Sequence, residues 1–153
     1  MDLGSDGLRK LMESRVRDYM TPAPQTLGVE NSLLDAVLML RRSNVRHIPI
    51  MEDDLVVGVL SDRDIARLAP SLLVPVSPDY YNRVFEETKL AKVMSRNPTT
   101  TNAEAPLAEA VDLIVTQRLG CLPVLEDGRL VGIITISDML RALRDVMTSA
   151  AQA

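Results

Sequence analysis

Aromatic side chains are almost missing from this chain: Tyr19, Tyr80, Tyr81 and Phe85 are the only four in 153 residues, and there is no tryptophan. A surface for single-stranded nucleic acid needs rings on which bases stack, so that class is excluded. Positive charge is also in short supply. Seventeen Lys and Arg against twenty-one Asp and Glu leave a net charge of −4, with no global field to gather a phosphate backbone, so no nucleic-acid partner is expected. Cys121 is the only cysteine and His47 the only histidine. Neither a disulfide nor a Cys/His zinc cage can be built within one chain, and a reducing, cytoplasmic setting is expected with no metal. No run of 18 uncharged apolar residues occurs, and the first fifteen residues carry Asp2, Asp6, Arg9, Lys10 and Glu13 where a signal peptide would be apolar. The expectation is a protein that neither spans nor binds a membrane. G-x-S-x-G, H-E-x-x-H and G-x-x-x-x-G-K-S/T are all lacking, so no enzyme and no catalytic residue is expected.

What the chain does have is an ordinary globular composition, 46% hydrophobic and 25% charged, and a length that buries a sizeable core without staples. It also has a repeat. A shift of 74 residues aligns Met20 with Met94, Pro24 with Pro98, Pro49 with Pro123, Gly58 with Gly132 and Asp64 with Asp138, without a gap. Fourteen of the fifty pairs from position 20 to 69 are identical, where about three or four would coincide by chance from average residue usage. One unit is written twice.

Each copy reads as the same succession of elements. A short extended piece near residues 25–27 precedes an amphipathic helix over 32–43, with Leu33, Ala36, Val37 and Leu40 at helical spacing. The second copy has Pro106 near the first helical position and Leu107, Ala110, Val111 and Ile114 on one face. Two β-rich runs follow, 47–51 and 56–60, then 121–125 and 130–136, joined by acidic turns at 52–54 and 126–128. A further helix begins near Asp62 in one copy and Ser137 in the other. Between the copies, Pro70, Pro75 and Pro78 break any regular helix, while Leu72, Leu73, Val74 and Val76 are apolar enough to lie against the body; helix is expected to resume over 83–92.

Polar residues that could carry chemistry stand at the two strand-to-helix junctions, Ser61-Asp62-Arg63-Asp64 and Thr135-Ile136-Ser137-Asp138. Both fit Ser/Thr-x-x-Asp. Such a pattern makes a capping box that satisfies orphan helix donors and nothing more. It also offers free N–H groups to a phosphate and a carboxylate to ribose hydroxyls. The doubling of the pattern, with Gly58 and Gly132 three residues before each hydroxyl, favours the second reading. His47 is a strand residue whose near-neutral pKa suits a binding role. Cys121 reads as a small buried hydrophobe, the methionines as gap fillers, and Arg41-Arg42 as a solvated helix end.

The blocks Val16-x-x-Tyr19-Met20-Thr21, Arg46-His47-Ile48-Pro49-Ile50 and Val57-Gly58-Val59-Leu60-Ser61-Asp62-Arg63-Asp64 resemble a known motif series. With Val93-Met94-Ser95, Cys121-Leu122-Pro123-Val124 and Val131 to Asp138, they resemble a tandem pair of CBS (cystathionine β-synthase type) domains, the Bateman module. The run 61–71 with its linker is also similar to acetoin-utilisation-B-like bacterial proteins, and the expectation is a form of these without their extra C-terminal domain. The resemblance implies an α/β (α+β) fold of two β-α-β-β-α repeats about a pseudo-twofold axis, each a small sheet with two helices. The expected division is a helical extension at 1–15, a first repeat at 16–69, a linker at 70–89, a second repeat at 90–146 and a tail at 147–153.

For function the resemblance implies two clefts that mix the copies and take an adenosine-type ligand (AMP, ADP, ATP, S-adenosylmethionine or NAD), none of them an obligatory cofactor. One cleft would set Asp64 on a ribose, Ser61 and Arg63 near phosphate, and Thr99, Leu119, Gly120 and Cys121 around the base. The other would use Thr135, Ser137 and Asp138 with Gln25, Val45, Arg46 and His47. The expected role is regulatory: an adenine nucleotide is sensed and the change is passed to a downstream partner or to the chain's own homodimer. A ligand-free dimerisation or interaction module is the alternative. Because Ile136 and Ser137 replace Asp62 and Arg63, the second cleft lacks the first one's local cation and is expected to bind roughly tenfold more weakly, unless Arg46 or His47 compensates. The helix faces Leu33/Val37/Leu40 and Leu107/Val111/Ile114 are the expected dimer surface.

Overall fold

The computed structural model describes residues 3–68 and 77–151. The chain begins with α1 (Leu3–Met12), α2 (Val16–Tyr19) and β1 (Thr21–Pro22). The first copy follows as β2 (Leu27–Gly28), α3 (Leu33–Ser43), β3 (His47–Glu52), β4 (Leu55–Ser61) and α4 (Asp62–Leu68). Then come α5 (Pro78–Glu87), a 3-10 turn at Leu90–Lys92 and β5 (Ser95–Arg96). The second copy is β6 (Thr101–Asn102), α6 (Leu107–Gln117), β7 (Cys121–Glu126), β8 (Arg129–Thr135) and α7 (Ile136–Ala151). The expected β-α-β-β-α order is present twice.

These elements form two compact units, an N-unit of Gln25–Pro98 and a C-unit made of Met1–Pro24 with Thr99–Ala153. Each holds one four-stranded sheet, in the order β2-β3-β4-β5 in the N-unit and β1-β8-β7-β6 in the C-unit. The β3/β4 and β7/β8 hairpins are antiparallel, whereas β2 runs parallel to β3 and β6 to β7. A parallel pair needs a crossover connection, which α3 and α6 supply. The fourth strands are not foreseen by the repeat. β1 pairs antiparallel with β8 (Thr21↔Ile133, Pro22↔Gly132), and β5 pairs with β4 in the equivalent register (Val59↔Ser95, Gly58↔Arg96). Each unit is thus completed by the segment that leads into the other sequence copy.

Backbone hydrogen bonds fasten these lead-in segments at equivalent positions. Val16 N–H donates to the Ala105 carbonyl and Leu107 N–H to that of Ser14; in the N-unit, Leu90 N–H donates to Asn31 and Leu33 N–H to Thr88, all at 2.8 to 2.9 Å. The two glycines of the repeat belong to the same arrangement. A Cβ on Gly58 would lie 2.4 Å from Met94 Sδ and 3.0 Å from the Ser95 carbonyl oxygen; on Gly132 it would meet Met20 Sδ at 2.5 Å and the Thr21 oxygen at 3.0 Å. Glycine is required there because the added strand and its methionine press directly on the hairpin, not because a ligand approaches.

Each unit has its own core. Leu33, Ala36, Ile48, Ile50, Leu60, Leu90 and Met94 fill the N-unit; Val16, Ala103, Leu107, Ala110, Ile114, Leu122, Val124, Ile134 and Ala142 fill the C-unit. This corrects the expected dimer surface, since Leu33, Leu107 and Ile114 point inward, Leu40 packs on its own core, and only Val111 of the two stripes is exposed. Apolar surface is exposed elsewhere, along α7 at Ile136, Leu140, Leu143 and Met147. Two boundaries also differ from expectation. Helix starts at Pro78, where a missing N–H costs nothing at the first helical position and Ser77 Oγ caps the Tyr80 N–H at 3.2 Å. It stops at Glu87 and does not run to residue 92, because Lys89 is extended and bridges to Ser32. In the second copy Ile136 begins α7 and does not end the strand. The apolar linker residues Leu72, Leu73, Val74 and Val76 lie outside the described residues.

Candidate functional site

At the N-unit junction β4 ends on Ser61 and α4 begins at Asp62. Ser61 N–H donates to Asp64 Oδ2 at 2.9 Å and Asp64 N–H donates to Ser61 Oγ at 3.1 Å, a reciprocal capping box. The half-buried Asp64 carboxylate keeps its second oxygen without a bond among the described residues. β3 brings two more residues alongside: His47 is the cross-strand partner of Ser61, and Asp62 N–H donates to the Arg46 carbonyl at 3.0 Å. Burial lowers the His47 pKa below the ordinary 6.5; the charges of Asp62 and Asp64 oppose that, and those of Arg46 and Arg63 add to it. Arg46 and Arg63 are both exposed, so the junction presents cations around a carboxylate with one open oxygen.

The C-unit junction has the same backbone plan and a different filling. Thr135 donates to Asp138 Oδ2 through its N–H at 2.8 Å and its hydroxyl at 3.2 Å, while Thr21 of β1 donates to Oδ1 at 3.4 Å. The Arg141 guanidinium, one turn along α7, forms an ion pair with the same Oδ1. Asp138 is 3% exposed, and both of its oxygens are engaged. Beside it runs an open groove of about 420 Å³, lined by Asp18, Tyr19, Met20, Thr21, Pro22, Arg141, Arg144 and Asp145, all in this unit.

The remaining candidates divide between the units. Gln25 Oε1 accepts from the Ser43 hydroxyl, and Thr99 Oγ1 donates to Gln117 Oε1 at 2.8 Å, so both residues tie the chain entering β2 or β6 to the end of α3 or α6. Val45 is exposed in the N-unit. In the C-unit, Leu119 closes α6 by donating its N–H to the Ile114 carbonyl at 3.1 Å, Gly120 is exposed, and buried Cys121 is the cross-strand partner of Thr135. Ser137 is exposed on the first turn of α7. Sequence reasoning missed Thr21 and Arg141. Arg141 had a signal, because an acid and a base three apart on a helix face each other; Thr21 had none, since its strand pairing is long-range. Among the described residues no helix is long and apolar enough to cross a membrane, and no group of three metal-ligating side chains occurs.

With this geometry, the comparisons with known proteins become interpretable. The chain is 29% identical to an acetoin utilization protein of Vibrio cholerae, with a TM-score of 0.73 over 92% of this chain and 97% of that one. It is 26% identical to the CBS-pair protein CBSX2, from Arabidopsis thaliana, solved in complex with AMP, with a TM-score of 0.70 over 87% and 98%. A third similar structure is a CBS domain pair holding 5′-methylthioadenosine and S-adenosyl-L-methionine, 25% identical with a TM-score of 0.71 over 86% and 97%. The CBS domain profile matches residues 16–71 and again 90–145, each match starting in the lead-in segment and running through the hairpin into the helix after it. The chain therefore belongs to the CBS domain family, as a tandem pair.

Proposed function

We propose that this chain is a regulatory CBS pair that senses adenosine-type ligands at its two strand-to-helix junctions. The observation that carries this reading is the pair of carboxylates, Asp64 and Asp138, held at equivalent positions by bonds from their own strand ends, with Asp64 keeping an oxygen open for a ribose hydroxyl. Similar CBS pairs bind AMP or S-adenosylmethionine with 5′-methylthioadenosine, which supports the ligand class. In this reading Ser61 and Arg63 meet phosphate at one site and Thr135 and Ser137 at the other. Gln25, Val45, Arg46 and His47, and Thr99, Leu119, Gly120 and Cys121, surround the bases. The exposed stripe Ile136/Leu140/Leu143/Met147 gives a homodimer its contact, through which a ligand-driven change is passed on.

A thermal-shift series with AMP, ADP, ATP, S-adenosylmethionine and NAD tests the proposal. A ligand at 100 times its Kd adds about 2.7 kcal/mol of stability. The gain should shrink in Asp64→Ala and Asp138→Ala, and no gain with any of the five would refute sensing. A ligand-free interaction module is the second reading, favoured by one observation: each junction acid is already bonded within its own unit, Asp64 to the Ser61 N–H and Asp138 to Thr135 and Arg141. Light scattering that shows a dimer together with a flat ligand series would select it.

A further inference from the structure

We infer that Arg141 is the selectivity residue of the Asp138 site: it closes the carboxylate to uncharged nucleosides and opens it to phosphate-bearing ones. This rests on the reading of the junctions as adenosine-ligand sites and adds a discrimination that the two acids alone do not supply.

Asp138 is almost wholly buried, its inner oxygen is used by Thr135, and its outer oxygen Oδ1 is held by Thr21 and the Arg141 guanidinium. A ribose hydroxyl that reaches Oδ1 must take the place of that guanidinium. A neutral nucleoside offers nothing in exchange, so the carboxylate gives up an ion pair for a hydrogen bond from an uncharged hydroxyl and the guanidinium is left without a partner. A nucleotide does offer something. Arg141 is half-exposed on the wall of the groove that Arg144 also lines, so it swings off the carboxylate without being buried and meets the incoming phosphate there.

The N-unit has no such gate. Its equivalent arginine, Arg67, is exposed, and Asp64 carries no ion pair among the described residues. Ribose reaches the Asp64 oxygen directly, so that site accepts nucleosides and nucleotides alike. The two junctions then differ in selectivity, and the C-unit is not the cation-poor twin that Ser137 in place of Arg63 suggests.

The test uses calorimetry on the full chain in an Asp64→Ala background, which leaves the Asp138 site alone, with adenosine and AMP as the two probes. Adding Arg141→Gln should tighten adenosine by about tenfold, because the competing guanidinium is gone, and weaken AMP by a similar factor. Arg141→Lys should restore much of the AMP affinity. Changes of the same sign for both probes, or no change for either, overturn the inference. Failure of the underlying reading looks different: neither probe then gives a heat that Asp64→Ala or Asp138→Ala removes, in any background, and the inference falls with it. Far-UV circular dichroism on each variant confirms that the exposed substitution leaves the fold intact.

Discussion

The two strand-to-helix junctions occupy equivalent positions in two sheets of the same topology, yet one is built as an open carboxylate among cations and the other as a buried carboxylate closed by a half-exposed arginine. In the N-unit, Arg46, His47, Asp62 and Arg63 surround Asp64; the corresponding residues of the C-unit are Gly120, Cys121, Ile136 and Ser137. The backbone bonds that hold each acid to its strand end are nearly the same length, 2.9 Å from Ser61 and 2.8 Å from Thr135. The scaffold is therefore conserved between copies by its hydrogen bonds, and the chemistry has diverged in side chains that those bonds do not involve. The following helices diverge with it: α4 is described over seven residues, whereas α7 runs for sixteen and packs on α1.

The largest test asks whether the two units share one stability. Ile48 and Leu122 are equivalent and fully buried, one in each core. Truncation of either to alanine should cost about 2 to 5 kcal/mol. Urea unfolding in a single transition for both variants marks a cooperative pair, and a second transition in only one variant marks independent units. Next come the glycines. Gly58→Ala and Gly132→Ala should each lose about 1 to 3 kcal/mol, because the new methyl collides with Met94 or Met20 and with the carbonyl of the added strand. Met94→Ala in the Gly58→Ala chain should recover part of its loss and leave Gly132→Ala unaffected; without recovery, the methionine contact is not the cause.

The acids should then separate the junctions. Asp64→Ala removes a capping interaction worth about 1 kcal/mol. Asp138→Ala strips partners from half-buried Thr135 and from Arg141 as well, and should cost about 2 kcal/mol, the ion-pair part being reduced by the exposure of Arg141. Equal losses would show that the ion pair is energetically idle. A smaller effect of opposite sign is expected at Thr101, whose buried hydroxyl has no hydrogen-bond partner among the described residues, where the first copy has Leu27. Thr101→Val should stabilise the C-unit by about 1 kcal/mol. A destabilised variant would mean that the hydroxyl finds water.

Much of this difference between the units was legible in the sequence. Leu33, Ala36 and their equivalents Leu107 and Ala110 announced the helices through spacing alone, and the hairpins stood out because β-rich runs flank acidic turns. The Ser61/Asp64 capping box and the bonds from Thr135 to Asp138 followed from residue type at a fixed offset. What stayed hidden was long-range. Nothing local says that Thr21 and Pro22 add a strand to a hairpin more than a hundred residues away, and Gly58 and Gly132 were read toward a ligand because their methionine partners come from that same added segment. The dimer stripe was misplaced for a related reason. A helical apolar face marks burial without saying against what, and the cores of the two units consume those of α3 and α6.

The smallest expected effect concerns protons, and it turns on one residue that the copies do not share. His47 stands where the C-unit has Cys121, which stays uncharged in acid. Burial lowers its folded pKa below 6.5, against the partial opposition of Asp62 and Asp64. The unfolded chain therefore takes up the His47 proton more readily than the folded one. A lowered imidazole pKa contributes stability that is present above the unfolded value of about 6.5 and is lost as pH falls through the folded value. The N-unit should weaken on mild acidification by this route, and His47→Cys, which installs the C-unit's residue, should flatten that part of the stability profile below pH 6.5. Asp64→Asn removes one of the two opposing charges, so it should lower the His47 pKa further and steepen the same slope. Urea midpoints at a series of pH values for the three chains decide the matter: a His47→Cys profile as steep as that of the parent would remove His47 as the source.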